Sequence, residues 1–455
     1  MKKTLLTICL VWMCFSLSAQ KIIDLSGKWS FSIDRQDNGE KEKWFSHTLN
    51  DFINLPGSMP EKLKGDEVTA KTQWTGSLYD SSYYYNPYME KYRKEGNIKF
   101  PFFLTPDKHY VGAAWYQKEV NIPADWKGER ILLFLERPHI ETTVWVNGQK
   151  TGMQNSLCVP HQYDITHYVR PGKCTITIRV DNRIKEINVG PDSHSITDQT
   201  QGNWNGIVGR ICLQTTPKTY FDDIQIYPEP EQKLARVKVV IKGTGTAKVK
   251  LSAESFNTDK KHIVPAIQQE IKLNKGVTET EMVLPMGNDM LLWDEFHPAL
   301  YKLKAEVTNG KKTEIKEIQF GMRRFEIKGK WFYVNGRKTQ LRGTVENCDF
   351  PLTGYAPMDV ESWERVFRIC RSYGLNHMRF HSFCPPEAAF MAADRVGFYL
   401  QPEGPSWPNH GPKLGLGQPI DKYLMDETIA LTKEYGNYAS YCMSVSYTHL
   451  RAHET

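Results

Sequence analysis

The amino-acid sequence predicts a multidomain chain: a jelly-roll β-sandwich, an immunoglobulin-like β-sandwich, and then an incomplete (β/α)8 TIM barrel. Three observations carry this. From Gln20 to about Met322 the apolar residues alternate with period two, as strands with one buried face do. After Asn335-Gly336 the pattern becomes strand, helix, strand, helix, strand, helix, which marks βαβ units and a parallel sheet. The length of 455 residues leaves room for about three domains of roughly 150 residues.

Hydrophobic residues at 40%, charged at 24% and aromatic at 12% are globular values and exclude disordered, collagenous and coiled-coil chains. The net charge is +6, with no basic run long enough to follow a phosphate backbone, so no nucleic-acid partner is expected. Met1-Lys2-Lys3, an apolar run of 13 residues from Leu5 to Leu17, and Ser18-Ala19-Gln20 have the layout of a secretory signal. At 1.5 Å per residue that run reaches about 20 Å, short of the ~30 Å hydrocarbon layer. Residues 1–19 are therefore expected to be a signal peptide, Cys14 behind Trp12-Met13 is unlike a lipoprotein site, and the mature chain, charge +4 without Lys2 and Lys3, starts near Gln20. The expectation is an exported protein, periplasmic or secreted, with no membrane span.

Of nine cysteines, Cys9 and Cys14 leave with the signal. The remaining Cys158, Cys174, Cys212, Cys348, Cys370, Cys384 and Cys442 are odd in number and include no Cys-x-x-Cys, which speaks against zinc and against a disulfide framework. Buried free thiols are expected, with an isolated Cys158–Cys174 bridge as the alternative.

The first sandwich is expected over residues 20–218 and the second over 219–322. In the first, Ile176, Ile178 and Val180 share one strand face, and Thr175, Thr177 and Arg179 the other. Val144-Trp145-Val146-Asn147-Gly148 reads as a hairpin, because a two-residue turn wants φ > 0 at both positions. Between Gly65 and Tyr110 lies an insert with Tyr79, Tyr83, Tyr84, Tyr85, Tyr88, Phe102 and Phe103, either a sugar-stacking rim or a loop packed on its own aromatics. In the second sandwich the alternation at Val237–Ile241, Val249–Leu251 and Tyr301–Val307 gives separate strands.

The barrel part is expected over 323–444. Leu341 to Val345 reads as its first strand; Asp359 caps a helix carrying Trp363, Val366, Phe367 and Cys370, ended by Gly374. Leu375 to Phe380 is the second strand, and Pro385-Pro386 opens a helix that Gly397 closes. Phe398 to Gln401 is the third strand, followed by a helix from about Asp421 to Tyr435 with Gly436 after it. Parity then groups Arg342, Thr344 and Glu346 on the first strand, Arg379 and His381 on the second, and Gln401 and Glu403 on the third. The polar residues gather at the carboxyl ends, where such barrels carry their active sites. Trp407 and His410 follow in the next loop, with Trp407 open to two readings, stacking platform or loop filler.

These motifs together resemble glycoside hydrolase family 2, the group of β-galactosidases, β-glucuronidases and β-mannosidases. Asp24-Leu25-Ser26-Gly27-Lys28-Trp29 resembles the opening strand of its galactose-binding-like jelly roll. Ala114-Trp115-Tyr116, Val144 to Gly148 and Trp204-Asn205-Gly206-Ile207-Val208-Gly209-Arg210 follow in the family's order. Trp293 with Pro298-Ala299-Leu300-Tyr301 resembles the end of the second sandwich, and Phe320-Gly321-Met322-Arg323, Asn335-Gly336 and Leu341-Arg342-Gly343 the approach to the barrel. The resemblance implies a retaining exo-β-glycosidase, β-galactosidase-like, releasing terminal β-linked sugars from oligo- or polysaccharides. Alternatives are a β-glucuronidase-type or other member, or a non-catalytic carbohydrate-binding protein. It further implies two catalytic carboxylates about 5–5.5 Å apart, no organic cofactor, and in some relatives a structural Mg²⁺ or Na⁺ for which no ligand set is identifiable here. Arg342, Glu346, Arg379, His381, Glu403 and Trp407 are the substrate-binding candidates it leaves.

In the family the acid/base glutamate follows an asparagine on the fourth barrel strand and the nucleophile lies on the seventh. Tyr435 to Met443 resembles the approach to that fourth strand, but Thr448 and His449 stand where the asparagine and glutamate belong. Val445 to Thr455 resembles a translated sequencing adapter, so these residues are expected to be a non-native tail and both catalytic glutamates to lie beyond the chain. No glycosidase activity and an aggregation-prone region after about 325 are the consequences expected. His381 also stands one residue earlier than the family's histidine, and Glu346-Asn347-Cys348 replaces its Asn and His pair.

Overall fold

The computed structural model describes residues 20–76, 82–101, 105–408 and 411–444. The expected signal peptide, the tail from Val445, and Tyr79, Phe102, Phe103 and His410 lie outside the described residues. Among the described residues no helix is long and apolar enough to cross a membrane.

The first domain is two antiparallel sheets packed face to face. One runs, edge to edge, Gln149–Gln154, Glu141–Val146, Gly172–Asp181, Ala113–Ile122, Gly27–Asp34 and Asp51–Leu55; the other runs Ile22–Asp24, Ile211–Thr216, Arg130–Leu135 and His161–Asp164. Trp29, Tyr116, Leu133, Val144, Ile178 and Leu213 fill the space between them. Asn147 and Gly148 take φ 51° and 78°, the left-handed pair that the hairpin demands. Thr177 and Arg179, on the outward face, are nonetheless buried. Trp115 and Trp145 with Phe45 and Leu49 cover this face, and Arg179 is ion-paired with Asp37, Glu141 and Asp181. Within the insert Tyr83, Phe100 and Trp74 pack on one another and on His109, while Tyr84, Tyr85 and Tyr88 are exposed. The described cysteines are all free thiols, Cys158 and Cys174 included.

In the second domain the expected strands at 237–241 and 249–251 are one strand, Leu234–Phe256, paired along its length with Ile263–Pro285. Its first half also pairs with Tyr220–Glu229 and its second half with Leu300–Asn309. The pairing register shifts between Gly243 and Gly245, and Gly245 sits at φ 85°, a conformation that costs a Cβ-bearing residue. Both halves feed one core, through Val237, Val239, Val249 and Leu251.

A three-stranded antiparallel meander, Phe325–Lys328, Trp331–Val334 and Arg337–Thr339, precedes the parallel part and was not anticipated as a separate sheet. Its tight turn is Asn335-Gly336 at φ 52° and 74°. Then Gly343–Glu346, His377–Phe380 and Tyr399–Gln401 form a three-stranded parallel sheet in that order, with helices Val360–Ser372, Glu387–Val396 and Pro419–Tyr435 following the strands. The Asp359 carboxylate accepts the Ser362 amide at 2.7 Å as the N-cap. Gly374 and Gly397 close their helices at φ 82° and 77°. Gly436 keeps right-handed geometry at φ −64°, and the next residue, Asn437, bonds Ile224 and Ile226 of the second domain. A parallel bridge between Leu400 and Tyr441 continues the sheet toward a fourth position. The described residues thus form an open parallel sheet and no closed barrel.

Candidate active site

Ser382, fully buried and held at φ 46°, joins two domains and two parallel strands. Its amide donates to Glu403 Oε2 at 2.7 Å, just past the third strand. Glu403 Oε1 accepts Arg379 Nε at 2.5 Å, from the second strand. The Ser382 hydroxyl accepts the His194 amide at 2.9 Å, and the Ser382 carbonyl accepts Ser195 Oγ at 2.7 Å and Ser193 Oγ at 3.3 Å. The last three come from the first domain, where the chain leaves its sandwich after Asp181 and rejoins it at Gly206.

From Val189 to Asn205 that excursion is largely buried although it carries no strand, so its polar groups need partners inside the protein. It finds them on the parallel sheet's loops: Ser193 Oγ also donates to Pro405 O at 2.7 Å, and Trp407 N to Val189 O at 3.0 Å. A Cβ on Gly190 would lie 2.0 Å from the Trp407 carbonyl oxygen, and Gly190 stands at φ 96°, so glycine permits this approach. Three rings meet over the seam. His381 is edge-on to Trp407 at 4.6 Å and 4.9 Å from His194, which lies 5.4 Å from Trp407. Burial, and then the neighbouring His381, hold the His194 imidazole down at about 4, so it is neutral at pH 7.

Arg379, His381, Glu403 and Trp407 are thereby brought together. Glu346 ends the first strand nearby: its carbonyl accepts the His381 amide and its carboxylate the Asp349 amide, at 3.0 and 3.1 Å. Burial raises its carboxyl. Trp407 is partly buried and packs against both imidazoles. Arg342 is not part of this group. It precedes the first strand and so stands at the amino end, where its side chain donates to Gly374 O at 2.6 Å and reaches Glu295 at 3.5 Å. The sequence groups it with the polar residues at the carboxyl ends, and the structure corrects that because the strand begins only at Gly343.

Sequence reasoning passed over Ser193, His194, Ser195 and Gln201, whose Oε1 accepts Cys348 Sγ at 3.1 Å. The available signal was composition: from Asp192 to Asn205 the segment is polar with only Asp192 and Asp198 charged, as a loop that must be buried requires. Among the described residues no three His, Cys, Asp or Glu side chains converge as a metal ion would need.

Residues 22–217 match the profile described as Glycosyl hydrolases family 2, sugar binding domain, and residues 219–323 that of Glycosyl hydrolases family 2. A β-galactosidase of Thermoanaerobacter pseudethanolicus is 24% identical over 69% of this chain and 42% of its own length. The human β-glucuronidase is 23% identical over 84% of this chain and 57% of its own length. The chain thus spans about half the length of the curated relatives it matches. The apo β-glucuronidase of Ruminococcus gnavus superposes with a TM-score of 0.70 at 19% identity, over 94% of this chain and 66% of that one. A family 2 member from Bacteroides cellulosilyticus gives 0.67 over 93% and 52%. At these identities the superpositions establish the fold, and the two adjoining profiles establish the lineage: the chain belongs to glycosyl hydrolase family 2.

Proposed function

We propose that this chain carries the sugar-recognition face of an exported, retaining exo-β-glycosidase that removes terminal β-linked sugars from oligo- or polysaccharides, with no organic cofactor. The observation that carries it is the Ser382 junction, which sets Arg379, His381, Glu403 and Trp407 on one rim at the carboxyl ends of parallel strands, the end that bears the chemistry in barrels of this kind. The guanidinium of Arg379 is one-third exposed and offers donors to sugar hydroxyls beyond the one Glu403 holds. Trp407 offers apolar ring surface of the kind a pyranose face packs on. Glu403 has both oxygens engaged and acts as a positioning residue.

Retention needs a proton donor and a carboxylate nucleophile about 5–5.5 Å apart. The proposal assigns those two glutamates to later barrel strands and gives this chain binding without bond cleavage. The relatives support a galactoside and a glucuronide alike.

The test is calorimetric titration of the full chain with 4-nitrophenyl β-galactoside and β-glucuronide, with nitrophenol release followed in parallel. Saturable binding, weakened about tenfold by Arg379→Met (a loss of about 1.4 kcal/mol), with no release, is the expected result. Binding of neither glycoside overturns the recognition face; release overturns the assignment of the two glutamates elsewhere.

A further inference from the structure

Where the jelly roll meets the loops after the first two parallel strands there is a cavity of about 20 Å³. Leu157, Val208, Ala356, Met358 and Phe383 supply its apolar wall. Arg137 and Trp204 also line it, and each brings a buried N–H that meets no acceptor among the described residues, Arg137 Nη2 and Trp204 Nε1. Neither side chain is loose. Arg137 Nη1 donates to Leu157 O at 2.7 Å, and the guanidinium lies 5.9 Å from the Phe383 ring centre. Trp204 is 4% exposed and stacks on His139 at 4.5 Å.

Charge and size together specify the occupant. A guanidinium does not lose its proton in proteins, and a buried charge without a counter-charge is strongly disfavoured. The adjoining carboxylate, Glu136, is engaged by Arg210 at 2.8 Å, and no carboxylate pairs with Arg137 among the described residues. An acceptor is therefore called for, and a negative one also offsets the guanidinium charge. A space of this volume holds one water-sized sphere, for which about 10–15 Å³ suffices, and a sugar does not fit.

We propose that this cavity is a site for a single monatomic anion, chloride in ordinary salt, held by Arg137 Nη2 and Trp204 Nε1, and that its occupancy fastens the jelly roll to the barrel loops. The anion accepts both hydrogen bonds, neutralises the guanidinium and tolerates the apolar wall.

The test is thermal unfolding of the full chain in sodium chloride, with sodium methanesulfonate making up constant ionic strength, and diffraction from crystals grown in bromide. The melting temperature is expected to rise by several degrees with chloride, and an anomalous bromide peak to lie between the two nitrogens. Arg137→Met and Trp204→Phe should each remove most of the chloride-dependent rise; the second keeps the ring and guards against a variant that fails to fold. Indifference to chloride with an ordered water in the cavity overturns the proposal, as does chloride dependence that survives in Trp204→Phe.

Discussion

Glu403 holds Arg379 through Nε at 2.5 Å, with its side chain 6% exposed against 34% for the arginine. This is a half-buried ion pair in which one partner also fixes a backbone turn through Ser382. Replacing Glu403 by Ala leaves the guanidinium unmatched and the Ser382 amide without its acceptor. Breaking a fully buried pair costs roughly 3–5 kcal/mol; with Arg379 one-third open to solvent, about 2–3 kcal/mol is expected. Urea denaturation read at the tryptophans measures it.

Three histidines make the first domain acid-sensitive. Burial, the leading cause in each, depresses His139 to about 3 and His161 and His194 to about 4, from 6.5. His161 donates from Nε2 to Ser156 O and so accepts at Nδ1 from the Thr142 hydroxyl, at 3.0 and 2.6 Å, an arrangement available to the neutral ring alone. A depressed folded pKa gives stability that is complete above 6.5 and lost as pH falls toward 4. For His161 the loss is on the order of 3 kcal/mol. Denaturation midpoints between pH 7 and 4 should fall steeply, and His161→Asn should flatten the curve.

Glu427, on the helix Pro419–Tyr435 after the third parallel strand, accepts the Leu157 and Cys158 amides of the first domain, both at 3.0 Å. Burial raises its carboxyl above 4.5. The sign is opposite to that of the histidines: its contribution is complete below 4.5 and lost as pH climbs through the raised value. Glu427→Gln keeps an acceptor oxygen and does not titrate. The variant should match the parent in acid and exceed it at pH 8, as paired melting curves would reveal.

Gly190→Ala tests the seating of the excursion from the first domain. The added methyl would meet the Trp407 carbonyl at a backbone angle of φ 96°. The backbone conformation alone costs about 1–2 kcal/mol, and relief of the overlap separates Trp407 from His194. A fall in melting temperature together with increased amide exchange around residues 189–195 is expected; exchange unchanged there would count against the docking.

Thiol labelling reads the same packing. Cys158, Cys174, Cys348 and Cys384 are at most 1% exposed, whereas Cys370 and Cys442 are partly accessible. Burial raises the Cys370 and Cys442 thiols, the latter to about 11, which slows both. Among these six, maleimide on the native chain should mark Cys370 and Cys442 slowly and the other four only after denaturation, as peptide mass mapping would record.

The sequence disclosed the helices with least ambiguity, because Asp359, Gly374 and Gly397 announce their own ends through capping chemistry. Strand periodicity located Val237–Ile241 and Val249–Leu251 but not their union, since the register shift at Gly243 and Gly245 leaves parity intact and depends on what the neighbouring strands do. The meander at 325–339 is short and half-exposed, which leaves little alternation to read. For the site, parity grouped Arg379 with Glu403 but also put Arg342 at the carboxyl end, whereas it precedes its strand and turns to Gly374. Ser193 to Ser195 reach Ser382 across almost 190 residues of chain, and no local pattern encodes a partner so distant.

That distance also shapes how the protein can diversify. The parallel strands supply a fixed frame, while the arch at 192–195 comes from the first domain and meets the rim at Ser382, at the Pro405 carbonyl and at the His381 and Trp407 rings. Insertions or deletions in this arch would remodel the mouth of the rim without disturbing a single strand, giving this architecture a way to vary what it meets there while its frame stays as it is.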